Sequence, residues 1–288
     1  MTLRQIPVME QLPGRARGTI GRVIHALPEV DSTNRLLAEM AGAGTVETGT
    51  VLLADHQTAG RGKYERPWVS TPGAGLYMSL LLRPARPVED LAQVTLVIAV
   101  AVAEALEDVA GLRAGIKWPN DLLSGGRKLC GILCELVLTP EGDPAHVIAG
   151  IGLNIGQSRA DFPDFLRDLA TSVKAETGIA TERDTLLAAL LERLDQRLAE
   201  WECAGFGPAR QEWSERSCTL GREIIMTASP APVRGVAVAL EADGSLSIRD
   251  RQGVIQNFVF GETCCPPEAP SRGLSGPAQL KEGNRENV

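Results

Sequence analysis

The sequence is poor in the features that mark several large classes of protein. Its 288 residues include three histidines and six cysteines, and no two cysteines form a C-x-x-C pair. The histidines lie far from one another and from the cysteines along the chain, so a zinc cluster is not expected. The irregular cysteine spacing favours free thiols in a reducing compartment over a disulfide framework.

Long apolar segments are also missing. The longest unbroken apolar run covers residues 96–103, which is far shorter than the roughly 20 residues that span a bilayer. The first residues do not combine a charged start with an apolar core, so no signal peptide is predicted. These features predict a cytoplasmic protein that has no membrane partner.

A net positive charge is absent as well. The chain has 29 Lys and Arg against 36 Asp and Glu, a formal charge of −7. Such a balance gives no general attraction to a nucleic-acid polymer. Hydrophobic residues make up 44% of the chain, enough for the core of one large domain or of two modest ones.

One loop concentrates positive charge against this acidic background. Residues 60–66 contain the cations Arg61, Lys63 and Arg66 together with two glycines. Glycines let a loop bring its N–H groups close to a ligand, and the cations attract an anion. The loop therefore predicts a site for a small anion, such as a phosphate or a carboxylate, rather than for a DNA backbone.

Hydrophobic periodicity predicts a main α+β region followed by a small all-β region. Polar N-cap residues at 31–34 predict the start of a helix, and apolar spacing predicts a long buried helix over 89–109. A third helix, capped by Thr181 or Asp184, presents leucines to the core up to Trp201. Strands are predicted at 20–25, 50–54, 76–82, 116–118, 131–138 and 146–155, and then at 233–241, 245–250 and 254–260.

Composition divides the chain into four parts. We expect an N-terminal arm over 1–19, a main domain over 20–215 and a small barrel over 216–264, because short strands and the turn Asp243-Gly244 follow one another closely there. Residues 265–288 are rich in Pro, Gly, Glu and Ser and are predicted to be disordered.

Two more segments contain residues that are suited to ligand binding or catalysis. Lys117 follows an apolar strand and precedes the sequence W-P-N-D. A lysine at a strand end either points into a cleft and stabilises negative charge or extends from the strand edge to solvent. Glycine alternates with apolar residues over 150–156, which predicts either a flat ligand against the sheet or tight packing under a helix.

Six segments, in order, resemble the catalytic region of biotin–protein ligases over roughly residues 30–261. The resemblance implies an α+β fold, in which helices flank a mixed β-sheet catalytic domain that is followed by a small SH3-like β-barrel. The segments are Ser32-Thr33-Asn34, Gln57-Thr58-Ala59-Gly60-Arg61-Gly62-Lys63, Arg66-Pro67-Trp68-Val69-Ser70, Lys117-Trp118-Pro119-Asn120-Asp121, 128–135 and 150–154.

The resemblance implies a two-step reaction. The carboxylate of biotin attacks the α-phosphate of ATP, which carries Mg²⁺, and gives biotinyl-AMP and pyrophosphate. A lysine on the acceptor domain of a biotin-dependent carboxylase then attacks the mixed anhydride and releases AMP. The protein itself is expected to supply no metal ligand, and it is expected to be a monomer or a homodimer.

The resemblance also assigns residues to roles. The catalytic cations are Lys117, Arg61 and Lys63. The biotin-binding residues are Ser32, Thr33, Asn34, Gln57, Arg61, Gly62, Lys63, Lys117, Gly131, Leu133 and Gly150. The ATP-binding residues are Arg66, Trp68, Asn120, Lys128 and Asn154.

The chain departs from the family pattern G-R-G-R-x-G-R-x-W at two positions. Lys63 replaces the second arginine and keeps the charge without the two-pronged fork. Glu65 replaces a glycine, which adds a negative charge and removes backbone freedom. We therefore hypothesise that biotinyl-AMP escapes from this protein more readily than is usual.

Three other functions are consistent with parts of the sequence. A lipoate– or octanoate–protein ligase has the same fold, and a non-catalytic biotin-binding protein needs the same pocket. A biotin-sensing repressor needs a DNA-binding domain, and the 31 residues before Ser32, broken by Pro and Gly, are too short for one.

Overall fold

The computed structural model describes residues 8–9, 18–139, 144–227 and 231–264. Most of the predicted arm and all of the predicted tail lie outside these residues. The helices are α1 (Thr33–Gly42), α2 (Gln93–Ala110), α3 (Val173–Thr177), α4 (Arg183–Ala204) and α5 (Gly207–Glu215). The strands are β1 (Val8–Met9), β2 (Ile24–Val30), β3 (Val51–Gln57), β4 (Gly75–Leu82), β5 (Gly115–Lys117), β6 (Asp121–Ser124), β7 (Arg127–Leu138), β8 (Pro144–Asn154), β9 (Glu223–Met226), β10 (Val233–Leu240), β11 (Leu246–Arg249), β12 (Ile255–Phe258) and β13 (Thr263–Cys264).

Eight strands form the main sheet in the order β1-β2-β3-β4-β8-β7-β6-β5. β2 and β3 are parallel, and every other neighbouring pair is antiparallel. A parallel pair needs a crossover connection, and α1 provides it. The prediction of a mixed sheet flanked by helices is confirmed.

Strand β4 shows how the sheet buries both of its faces. Leu76, Met78 and Leu80 point into the core that α2 and α4 cover, whereas Leu81 packs against α1. Burial of each such side chain contributes roughly 1.5–3 kcal/mol.

Helix α2 is buried nearly all round, as its composition predicts, and it ends at Gly111, whose φ of 61° suits glycine. No helix in the described part of the chain is both long and apolar enough to cross a bilayer.

A second, antiparallel sheet follows in the order β12-β11-β10-β9-β13. The turn at Asp243-Gly244 joins β10 to β11 as predicted, and Gly244 adopts a φ of 86° there. The main chain preceding this sheet runs beside β5, because Ile116 N donates to Arg216 O at 2.8 Å and Cys218 N donates to Ile116 O at 2.9 Å. This five-stranded sheet lies where the sequence predicts a small barrel.

Several predicted boundaries are wrong. The strand predicted at 20–25 begins at Ile24, since a turn with Gly21 at φ 70° precedes it. The long helix predicted from residue 89 begins at Gln93, after a short 3₁₀ turn. Neither Thr181 nor Asp184 caps α4, because Glu182 occupies the N-cap without a side-chain hydrogen bond. The sequence analysis also missed α5 and β6.

Candidate active site

A cavity of about 530 Å³ opens on the face of the main sheet that α1 covers. This volume is in the range of small-molecule sites. Every residue that the sequence assigns to biotin, to ATP or to catalysis lines this cavity. The lining residues that the sequence did not assign include Asp121, Phe162, Leu166, Glu262, Thr263 and Cys264.

The start of α1 supplies a buried polar end to the cavity. Gln57 Oε1 accepts hydrogen bonds from Thr33 N at 2.9 Å and from Thr33 Oγ1 at 3.0 Å. The hydroxyl of Ser79, in strand β4, lies 2.7 Å from Thr33 Oγ1 and 2.5 Å from Asn34 Oδ1. Ser32 is the N-cap of α1, which fixes the direction of these side chains. A single serine inside the apolar strand β4 was the sequence signal for Ser79.

The glycines of β7 and β8 are needed for close side-chain approach. A Cβ at Gly150 would lie 2.3 Å from Asn34 Oδ1, and a Cβ at Gly152 would lie 2.5 Å from the indole of Trp68. Gly131 pairs with Gly152 across the strands and also lies under Trp68. Packing under a helix therefore explains Gly150, and a flat aromatic ring explains the other two glycines.

The basic loop closes on itself above these glycines. Gly62 N donates to Arg66 O, and Trp68 N donates to Gly60 O, each at 2.8 Å. Tyr64 and Glu65 adopt φ values of 56° and 57°, which costs a residue with a side chain roughly 1–2 kcal/mol. The glycine of the family pattern would occupy the position of Glu65 without this strain.

Arg61 is held by a carboxylate that the sequence did not assign to the site. Its Nη2 lies 3.0 Å from Glu135 Oε1, and Asn34 Nδ2 donates to Glu135 Oε2 at 2.6 Å. Among the described residues, Arg61 Nε is buried and has no hydrogen-bond partner. Glu135 therefore connects the basic loop to α1.

The other cations of the cavity differ in their partners. Lys128 Nζ lies 2.7 Å from Asp121 Oδ1 and 5.6 Å from the centre of the Trp68 ring. Lys63 Nζ contacts Gly261 O at 3.4 Å, and no ion pair to it is found within the described ranges. Burial lowers the pKa of Lys63, although Glu262 and Asp121 act in the opposite direction. Lys128 is thus held by an ion pair, whereas the ammonium of Lys63 is held by a main-chain carbonyl.

Lys117 ends strand β5, and the residue after it is clamped by the C-terminal part of the chain. Trp118 is buried; its N donates to Thr219 Oγ1 at 3.0 Å and its Nε1 donates to Gly244 O at 3.2 Å. Thr263 Oγ1 donates to Trp118 O at 2.9 Å. Lys117 lies opposite Asp121 in the β5–β6 pair. These bonds fix the backbone that presents the Lys117 ammonium to the cavity.

The side chains of the two asparagines that were predicted to bind ATP donate to main-chain carbonyls of the cavity wall. Asn120 Nδ2 donates to Ile132 O at 2.8 Å, and Asn154 Nδ2 donates to Thr171 O at 3.0 Å. Each side-chain amide therefore has one of its two N–H donors engaged by the protein, and an ATP-binding role for Asn120 and Asn154 stays a prediction.

Known proteins resemble this chain over most of its length. A profile of the Biotin/lipoate A/B protein ligase family matches residues 26–154. The bifunctional ligase/repressor BirA of Bacillus subtilis is 36% identical over 225 residues, which cover 78% of this chain and 69% of BirA. The biotin–[acetyl-CoA-carboxylase] ligase of Paracoccus denitrificans is 34% identical over 230 residues, covering 79% of this chain and 94% of that enzyme. The structure of a biotin protein ligase from Aquifex aeolicus in complex with biotin and ATP has a TM-score of 0.74 and 32% identity, covering 84% of this chain and 97% of that one. The chain therefore belongs to the biotin/lipoate A/B protein ligase family.

Proposed function

We propose that this protein is a biotin–protein ligase, which uses ATP to attach biotin to a lysine of a carboxylase acceptor domain through biotinyl-AMP. The observation that carries the proposal is the convergence of Arg61, Lys63, Lys117 and Lys128 on one cavity. A relative named biotin–[acetyl-CoA-carboxylase] ligase supports the proposal, and so does the similar structure of a biotin protein ligase in complex with biotin and ATP.

The first step brings two anions together. The carboxylate of biotin attacks the α-phosphate of ATP, and pyrophosphate leaves. Mutual repulsion opposes this approach, and cations held in fixed positions remove the obstacle. Arg61 and Lys117 are the cations we assign to the reacting carboxylate and phosphate, with Lys63 above them on the loop.

We assign the polar end of the cavity to the ureido ring of biotin. That ring carries both hydrogen-bond donors and acceptors, and it needs partners of both kinds when it is buried. Ser32, Thr33 and Gln57 offer hydroxyl and amide groups there, and Asn34 is fixed beside them. Gly131, Leu133 and Gly150 form the wall for the apolar chain of biotin.

We assign the side of the cavity near Trp68 and Lys128 to the nucleotide, with Arg66 at its rim. Mg²⁺ arrives as part of the ATP substrate and is held by phosphate oxygens. Within the described part of the chain, no cluster of His, Cys, Asp and Glu fits a metal ion of its own. The carboxylates of Asp121 and Glu262 are already paired with Lys128 and Arg66.

We also propose that residues 20–215 form the catalytic domain and 216–264 the small barrel, and that the enzyme works in the cytoplasm. The formal charge of −7 gives no support to a repressor that binds DNA.

One assay tests the proposed function. The protein is incubated with biotin, ATP, Mg²⁺ and a biotin-acceptor domain, and the acceptor is examined by mass spectrometry for one added biotinyl group. Lys117→Ala is expected to abolish the product, whereas Lys174→Ala, at an exposed position outside the cavity, serves as the matched control. Transfer of lipoate in a parallel reaction without transfer of biotin would favour a lipoate–protein ligase. Absence of both acceptor labelling and pyrophosphate release would favour a non-catalytic biotin-binding protein.

A further inference from the structure

Lysine is scarce in this chain and concentrated in the cavity. Only five of the 29 basic residues are lysines, at 63, 117, 128, 174 and 281. The first three line the cavity, and Lys174 is exposed on α3. The remaining cations are arginines, whose guanidinium does not lose its proton in proteins. The amines that can act as nucleophiles are therefore placed mainly where an activated acyl group would form.

The three cavity lysines are in different settings. Lys128 Nζ is paired with Asp121 Oδ1 at 2.7 Å. Lys117 is fixed at the end of the edge strand β5. Lys63 lies on the strained loop, where, among the described residues, its ammonium makes one hydrogen bond, the 3.4 Å contact to Gly261 O, and lies 5.4 Å from the centre of the Tyr64 ring. Burial lowers the pKa of Lys63, so its amine loses a proton more readily than an ordinary lysine does.

We propose that Lys63 is a site of self-modification, at which its ε-amine captures the biotinyl group of biotinyl-AMP when no acceptor is present. This inference rests on the proposed function. The lone pair of Nζ attacks the carbonyl carbon of the mixed anhydride, and a C–N amide bond forms. The C–O bond to the AMP phosphate breaks, AMP leaves with the electron pair, and the amine proton passes to water.

The order of events explains how one residue acts first as a cation and then as a nucleophile. Bound ATP surrounds Lys63 with negative charge and holds the proton on its amine. Departure of pyrophosphate removes most of that charge, and burial then makes the neutral amine easier to form than in an ordinary lysine, although Glu262 and Asp121 act in the opposite direction. The arginine of the family pattern cannot undergo this reaction. The amide formed at Lys63 is uncharged, so the modified enzyme loses a cation and slows its own first step.

Peptide mapping of the intact protein tests the proposal. The full chain is incubated with biotin, ATP and Mg²⁺ but no acceptor, at about pH 7 and about pH 9, so that the neutral fraction of lysine differs strongly. We expect a biotinyl group on Lys63 that increases at the higher pH and decreases when an acceptor domain is added. Lys63→Arg is expected to lose the label, and Lys174→Arg is expected to leave it unchanged.

Three results would overturn the proposal. Acceptor labelling without any label on Lys63 would leave the ligase function intact and remove the self-modification. Equal labelling of Lys63 and the exposed Lys174 would show that lysines capture biotinyl-AMP after it has diffused away from the cavity. Undiminished total labelling of the Lys63→Arg variant, at other lysines, would show the same. Absence of both pyrophosphate release and acceptor labelling would instead remove the ligase function on which the inference rests.

Discussion

Arg66 of the basic loop and Glu262, which lies between β12 and β13, form a two-pronged ion pair. Arg66 Nη1 lies 2.6 Å from Glu262 Oε1, and Arg66 Nη2 lies 2.7 Å from Glu262 Oε2, although 196 residues separate them in the chain. The neighbouring contact from Lys63 Nζ to Gly261 O reaches the same segment. The basic loop, which lines the cavity, is thus bound to the segment that connects β12 to β13.

Glu262→Gln tests whether this fastening retains the adenylate. The side chain of Arg66 is 65% exposed, so the loss of stability should stay below about 1 kcal/mol. We expect the release of biotinyl-AMP to become faster by about twofold to fivefold, in keeping with about 0.4–1 kcal/mol for an exposed ion pair. Rapid-quench measurement of free adenylate is the readout.

Glu223→Gln is the matched control for that experiment. Glu223 forms a similar two-pronged pair with Arg234 inside the C-terminal sheet, with both distances 2.9 Å. It does not line the cavity. If both variants released the adenylate at the same rate, the Arg66–Glu262 pair would have no part in retention.

Gly150→Ala is expected to damage biotin binding. The new Cβ would lie 2.3 Å from Asn34 Oδ1, so Asn34 must move away from Ser79 and Glu135. Overpacking of this kind costs about 1–3 kcal/mol, and we expect KM for biotin to rise by at least about fivefold. Gly156→Ala is the control, because its Cβ meets nothing closer than 3.6 Å. Equal KM values in the two variants would contradict the placement of biotin beside Asn34.

Glu135 is expected to act by positioning Arg61 and Asn34. Glu135→Gln keeps an oxygen for Asn34 Nδ2 but loses the charge that holds Arg61, whereas Glu135→Ala loses both. We expect kcat for pyrophosphate release to fall in both variants, and KM for biotin to rise mainly in Glu135→Ala. A hydrogen bond to a charged group contributes about 1.5–3 kcal/mol, which corresponds to about a tenfold to hundredfold effect. Unchanged kinetics in Glu135→Ala would exclude this role.

The sequence predicted the residues that line the cavity better than it predicted the residues that hold those side chains in place. Residues such as Gln57 and Lys117 lie in short segments whose order identifies the family, so each was found without knowledge of the fold. Ser79, Glu135 and Glu262 reach the site only through strand register or through contacts distant in the chain. Element boundaries failed where local turn chemistry decided them, as at Gly21 before β2.

Two groups of cysteines are expected to differ in reactivity. Burial raises the pKa of the Cys130 thiol, and it raises the pKa of Cys134 to about 11 despite a hydrogen bond with Thr95. The thiolate is the reactive form, so at about pH 8 only about one Cys134 in a thousand is reactive.

Cys203 and Cys264 are exposed. Maleimide labelling followed by peptide mapping should modify these two first, and ATP with biotin should protect Cys264, which lines the cavity. Labelling of Cys130 as fast as Cys203 would contradict the packing of β7.

Substitutions at Glu65 and Lys63 test the hypothesis that the basic loop holds biotinyl-AMP weakly. Glu65→Gly removes both the left-handed strain at φ 57° and a negative charge near the phosphates, whereas Glu65→Gln removes only the charge. We expect Glu65→Gly to slow the escape of biotinyl-AMP more than Glu65→Gln does, and to leave the free energy of unfolding within about 1 kcal/mol, because glycine also gains entropy when unfolded. Lys63→Arg restores the two-pronged fork and should slow escape further in the double variant. If neither Lys63→Arg nor Glu65→Gly releases the adenylate more slowly than the unaltered protein, the two departures from the family pattern do not weaken the loop.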